Sequence, residues 1–335
     1  VNMRTRSNYG VTGVAVTLSA SSTGGYFGSE DLRLAKINGV WPVGAVVVVG
    51  TQKAIFGYGY TNTNVSMTNL VSNTGVVSND TTGVGTARHA LAAAGYGTDK
   101  AIFGYGYTNT NVSMTNKVSN TGVVSSDTTG VGADRNFLAA AGYGTDKAIF
   151  GYGYTNTDAS MTNLVSNTGV VSNDTTGVGT ARVAPAAATY GTDKAIFGFG
   201  ITSVNVSITN LVSNTGVVAT DTAGVGTARR YLAAAGYGTD KAIFGYGYTN
   251  TNVSMTNLVS NTGVVSSDTT GVGTGRNGSA AAGYGIDKAI FGYGNAGAPL
   301  YSLTNKVSNT GVVASDTTGV GTARYALAAA GYSLT

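Results

Sequence analysis

One 47-residue unit repeats six times between about residue 43 and the C-terminus. Its marker, K-A-I-F-G, recurs at Lys53, Lys100, Lys147, Lys194, Lys241 and Lys288, always at the same interval. A fixed period of this length restricts the chain to a solenoid, a propeller or an array. The near-identical copies also act as their own control: agreement reports the scaffold, and clustered disagreement reports something laid on top of it.

One complete unit runs from Arg88 to Asp134. It carries no helical periodicity, and β-branched, aromatic and glycine residues dominate it. The pattern predicts four short strands: 91–96, Lys100–Tyr107, about 112–120 and about 123–126. The G-T-D and N-T-G segments supply turns, and D-T-T-G-V-G crosses to the next arginine. Four strands per unit fit a β-propeller blade, with the alanine triplet in the strand nearest a crowded axis. A stacked β-solenoid is the other architecture considered.

The 51 glycines would suggest low complexity if scattered. Here they are phased with the repeat, so residues 43–335 are read as folded. Cysteine is absent and His89 is the single histidine, which excludes disulfides and multi-histidine or thiolate metal sites. No cofactor and no metal are expected. A net charge of +4 does not argue for nucleic acid. No run of 18 apolar residues occurs, so no membrane insertion is expected.

The chain ends suggest how a ring would close. Residues 43–50 (V-G-A-V-V-V-V-G) occupy the first-strand slot of the first unit, and residues 324–335 supply a further first strand with nothing after it. Residues 1–42 can supply three strands, within 11–20, 26–37 and 39–42. Both ends then complete a seventh blade, leaving no open edge. The expected architecture is therefore an all-β propeller of four-stranded blades, seven by preference. The alternative is a six-bladed ring with 1–42 as an anchor. The segments are 1–42 and the repeat region 43–335.

The unit resembles a kelch repeat. The matching residues are Arg88, the small-residue strand Leu91-Ala92-Ala93-Ala94, the turn at Thr98-Asp99, and Lys100-Ala101-Ile102-Phe103-Gly104-Tyr105-Gly106. The resemblance spans residues 43–335. It departs from the family in two respects: the paired glycines are split into G-Y-G, and the late tryptophan is missing, Trp41 lying outside the units. Such regular units are also similar to propellers in phage and environmental microbial proteins.

The copies disagree most in the three residues after each repeat arginine. They read His89-Ala90-Leu91, Asn136-Phe137-Leu138, Val183-Ala184-Pro185, Arg230-Tyr231-Leu232, Asn277-Gly278-Ser279 and Tyr325-Ala326-Leu327. The kelch resemblance implies that this segment enters the first strand around the channel mouth, on a face used for partners. His89, Asn136, Phe137, Arg230, Tyr231, Asn277 and Tyr325 are therefore candidate ligand-binding residues. Tyr60, Tyr107, Tyr154 and Tyr248 follow the G-Y-G segment, and the resemblance puts them near the same face, where a tyrosine can stack on a sugar ring or peptide plane. The competing reading is drift in an exposed loop. The invariant Arg88, Arg135, Arg182, Arg229, Arg276 and Arg324 are read as structural, paired with the repeated aspartate or with crossover carbonyls.

Catalysis has little to work with. Nearly every Asp and Arg belongs to the repeat, Glu30 is the only glutamate, and no long insertion carries a specialised acid pair. A copper oxidase lacks its ligands. The expected function is a non-enzymatic, rigid binding or structural module on an extracellular or phage-particle surface. Its expected partner is a cell-surface glycan or protein, with other virion proteins as further partners. An intracellular kelch-type adaptor in the cytoplasm and a secreted carbohydrate-active enzyme are the alternatives.

Overall fold

The computed structural model describes residues 52–333, together with the backbone of Met3–Arg4 and Ala15–Val16. Those two short strands pair antiparallel, Met3 opposite Val16. They belong to one compact unit, Val1–Val48, and the repeats form a second, Val49–Thr335. Apart from Ala15–Val16, the strands expected in the first 50 residues lie outside the described residues.

The described repeats are all β, without a helix, and form six three-stranded antiparallel sheets. In one unit the inner strand is Ala92–Tyr96, the middle strand Lys100–Tyr107 and the outer strand Asn111–Val118. The middle strand is the one read correctly to the residue. It is buried along both faces, which a strand packed between two other sheets requires. Ile102 packs toward Phe150 of the next sheet, and Phe103 toward Ile55 of the preceding one. Each such side chain is fully buried and stabilises the fold by roughly 1.5–3 kcal/mol relative to exposure. Glycine makes this approach possible: a Cβ on Gly104 would lie 2.7 Å from the Phe150 ring. The same relation joins Gly292 to Phe56, the last sheet to the first.

The expected fourth strand is reduced to isolated bridges, Val118 opposite Val124 and Thr115 opposite Thr128. Side chains do much of the work of a ladder there. Asn116 Nδ2 donates to the Ser125 carbonyl and to Asp127, and the Lys117 N–H donates to Ser125 Oγ.

Closure differs from the expectation. Among the described residues, the C-terminal strand Ala328–Tyr332 has no strand partner from residues 1–42. It pairs with Lys53–Tyr60, Ala328 opposite Gly57, in the register that Ala92 and Gly104 adopt within a unit. It thus takes the first-strand slot assigned from sequence to residues 43–50. No seventh sheet built from both ends occurs among the described residues. A-A-A-G-Y at 328–332 repeats the inner-strand sequence of the other units, from which only Ala186–Tyr190 departs, with Thr189 in place of glycine.

The sheets follow one another cyclically, each inner strand beside the next, and the last beside that of the second unit's sheet through Ala328–Tyr332 and Ala92–Tyr96. Three sets of six backbone hydrogen bonds run around this cycle. In one, the N–H of Gly97, Gly144, Gly191, Gly238, Gly285 and Ser333 donates to Asp146, Asp193, Asp240, Asp287, Gln52 and Asp99. In the second, Gly59 and its equivalents donate to the carbonyls of the repeat arginines. The arrangement is propeller-like.

The arginines hold neighbouring sheets together. All six are 0% exposed. Arg88 donates to the Tyr105 carbonyl, the Thr86 carbonyl and Asn116 Oδ1, and lies 3.8 Å from Asp127. Its guanidinium sits 4.4 Å over the Tyr58 ring of the previous sheet. Tyr58 itself occupies the left-handed region at φ +62°, and its hydroxyl donates to the Val84 carbonyl. This is the structural pairing anticipated from the invariance of these residues.

Candidate functional site

The third cycle of backbone hydrogen bonds lies at the variable triplets. Ala90 donates to Ala326, Phe137 to Ala90, Ala184 to Phe137, Tyr231 to Ala184, Gly278 to Tyr231, and Ala326 to Gly278, at 2.8–3.2 Å. The second residue of every triplet is therefore locked beside its neighbours at one end of the inner strands. All six are left-handed, with φ from +47° at Phe137 to +58° at Gly278. Only Gly278 adopts this conformation without a Cβ penalty, which is roughly 1–2 kcal/mol for the others.

The first residue of each triplet pairs with the residue after G-Y-G, or after Gly198-Phe199-Gly200 in one unit. The bridges are His89 with Tyr107, Asn136 with Tyr154, Val183 with Ile201, Arg230 with Tyr248, Asn277 with Asn295 and Tyr325 with Tyr60. The two residue groups singled out from sequence thus meet on one end of the sheets. The third residue turns inward. Leu91, Leu138, Leu232 and Leu327 are buried, as are Pro185 and Ser279.

Aromatic side chains join across sheet boundaries. Tyr60 meets Tyr325 at 5.7 Å and His89 at 5.1 Å between ring centroids. His89 also touches Tyr107 and Phe137 edge-on. Phe137 reaches Tyr231 at 5.2 Å. Those two belong to units separated by one other, and the small Ala184 between them leaves the room. Arg230 stacks over Tyr231 and Tyr248 at 5.6 and 5.0 Å and donates to Asn205 Oδ1.

The polar members are held from the neighbouring sheet. Asn64 donates its Nδ2 to the Thr108 carbonyl, so its Oδ1 accepts from His89 Nδ1 at 2.6 Å. That network assigns the His89 proton to Nδ1 and leaves Nε2 as an acceptor. Burial pulls the His89 pKa below 6.5, so the ring is neutral at neutral pH. Asn277 donates to Asn252.

The candidate ring is not uniformly exposed: Tyr154, at 38%, is the only candidate open enough to count as exposed, Asn136 is buried, and the rest are half-buried. The backbone hydrogen-bond cycle draws the triplets together and covers them. Asn136, Tyr154 and Asn277 stand outside the joined aromatic series. Asn136 Oδ1 is buried without a hydrogen-bond partner.

At the centre, the second and third triplet residues from all six units line a small, open depression. Phe137 and Tyr231 crowd one side, and Ala90, Gly278 and Ala326 leave the other open. Sequence reasoning did not single out Ser279, which lines this depression with its Oγ buried and unpaired. The available signal was the replacement of leucine by serine in one copy. No protein-family model matches the chain, and no curated protein matches it.

Proposed function

We propose that the repeats form a six-bladed, kelch-like propeller with four-stranded blades, acting as a rigid, non-enzymatic binding module. Six blades are supported by the cyclic hydrogen bonds and by the pairing of Ala328–Tyr332 with Lys53–Tyr60. The bridges beyond each outer strand support a short fourth strand. The setting we propose is an extracellular or phage-particle surface, with a cell-surface glycan or protein as the target.

One observation carries the binding reading. The variable second residues share a left-handed backbone that favours glycine, yet Phe137 and Tyr231 stand there. Drift limited by stability would favour small residues or glycine at such a position. Bulky aromatics that meet across Ala184 point instead to selection for the surface they make. The repeated aspartates and arginines are engaged in holding the frame, which supports binding over catalysis.

The test is truncation of Phe137, Tyr231 and Tyr325 to alanine, with binding measured on target cells and glycan arrays. A hot-spot truncation is expected to cost roughly 1–3 kcal/mol of affinity while the fold keeps its stability. If all three variants bind like the parent, the mouth is not the binding face.

A further inference from the structure

We infer that the rim of the mouth holds a lysine side chain of the target, its ammonium on Asp158 and its methylene stem on the Tyr154 ring. This rests on the binding reading above and narrows it to a ligand chemistry and a subsite. Asp158 is half-buried, and it is the one acid among the described residues without a hydrogen bond or ion pair. The other described aspartates are engaged. One set is held by threonine and asparagine, as Asp127 is; another binds the lysine that follows it, as Asp146 does; and Asp134 accepts from Ser113. The Asp158 slot faces Tyr154 across the strand pair, as Asn64 faces Tyr60 and Asn205 faces Ile201. Four copies place asparagine there, and the last places Leu300.

The asparagines show what the substitution removed. Asn64 donates to the Thr108 carbonyl of the next sheet and accepts from His89; Asn205 donates to the Thr249 carbonyl and accepts from Arg230. The same spacing puts Val183 and the Thr202 carbonyl across from Asp158. Val183 has no polar side-chain atom, and a carboxylate cannot donate to a carbonyl. Acceptors therefore stand on both sides of this sheet boundary, where the other copies have an N–H donor between them. A cation with several N–H donors supplies what is missing. Tyr154 defines its form. It lies directly opposite Asp158, so the two side chains leave the same face of the sheet, and its ring is exposed. A ring beside a carboxylate suits an ammonium on an aliphatic stem. A carboxylate and a carbonyl on separate sheets suit the divergent donors of an ammonium better than the parallel fork of an arginine. A calcium ion would need about six to eight oxygen ligands, and no group of three acidic, histidine or cysteine side chains occurs among the described residues. Arg230 is engaged with Asn205, Tyr231 and Tyr248 and does not neutralise Asp158.

The test uses the full chain and ligand-observed saturation-transfer NMR. The probes are Nα-acetyl-lysine methylamide, its Nε-acetylated counterpart, which has lost the charge, and glucosamine, which carries an ammonium on a sugar. The lysine probe is expected to bind, and its acetylated form is not. Asp158→Asn installs the residue found at four equivalent positions, so it keeps the fold; lysine binding is expected to weaken at least about tenfold while the melting temperature holds or rises. Tyr154→Ile installs the residue found at position 201 and is expected to weaken binding roughly threefold. No binding of the lysine probe, equal binding of its acetylated form, or unchanged binding in Asp158→Asn overturns the site. Glucosamine binding as tight as that of the lysine probe overturns the assignment to lysine. If Asp158→Asn binds target cells like the parent while Tyr231→Ala does not, the lysine seat is wrong and the binding face stands. If the lysine probe binds through Asp158 while the alanine variants of Phe137, Tyr231 and Tyr325 still bind cells, the seat stands and the wider face fails.

Discussion

Arg182 shows how much of this fold rests on single side chains. It donates to the Phe199 and Thr180 carbonyls and to Asn210 Oδ1 at 2.7–3.1 Å, and lies 4.1 Å over the Tyr152 ring. Arg182→Ala would strand these acceptors in a buried seam between sheets. A loss of about 3–5 kcal/mol in unfolding free energy is expected, measured by denaturant titration. A melting curve like the parent's would refute the structural role. Phe199 offers the opposite experiment. Five copies carry tyrosine at this position, and each hydroxyl donates to a valine carbonyl, as Tyr152 does to Val178. Phe199 has no hydroxyl for the equivalent Val225. Phe199→Tyr should add about 0.5–1.5 kcal/mol of stability, and a neutral or destabilising result would mean that this sheet cannot seat the hydroxyl as its neighbours do.

Among the elements, Ala328–Tyr332 has the largest leverage. It is the one inner strand whose partner, Lys53–Tyr60, comes from the other end of the repeat array. Its neighbours on either side are the inner strands Ala280–Tyr284 and Ala92–Tyr96. Deleting residues 328–335 would leave the Lys53–Tyr60 edge unpaired and remove Ser333 from the first backbone cycle. An exposed, apolar middle strand is a template for pairing with another chain. The truncated protein is expected to melt earlier and to form dimers or larger species, measured by light scattering on a sizing column. A monomer with the parent's melting temperature would count against closure by this strand.

Across the whole molecule, the same groups repeated around the cycle set its pH range. Burial acts to raise Asp80, Asp127, Asp221, Asp268 and Asp316. Hydrogen bonds from threonine and asparagine, with the nearby arginine, outweigh it and hold each below its ordinary 3.8. A depressed folded value means that their stabilisation is present above about pH 4 and is lost as pH falls through the folded pKa. Burial pushes Tyr58, Tyr105, Tyr246 and Tyr293 up to about 12, against the lowering effect of their arginines. Their contribution is present below the ordinary value of 10 and is lost as pH rises through about 12. Thermal stability should therefore form a plateau between acid and alkaline limits. On the alkaline side, tyrosinate absorbance from these residues should appear together with loss of β circular dichroism. Their ionisation well before unfolding would contradict the burial described here.

The sequence by itself determined the repeat, the all-β class, the middle strand Lys100–Tyr107 and the pairing role of the arginines. Each is written locally: period, alternation, or one residue type kept in every copy. The small inner strand was legible for the same reason, because alanine and glycine are what a crowded axis tolerates. Tertiary structure alone decided which end closes the cycle. Ala328–Tyr332 repeats the inner-strand sequence, which varies only at Thr189 in Ala186–Tyr190, so its own residues do not say which end of the chain supplies its partner. The choice depends on the angle accumulated from sheet to sheet as each phenylalanine packs over a neighbour's glycine. The mouth was legible as a set of variable triplets, but not as a shape. Its left-handed backbone, the contact of Phe137 with Tyr231 across Ala184, and the unpaired Ser279 hydroxyl arise only when six distant segments meet around one axis.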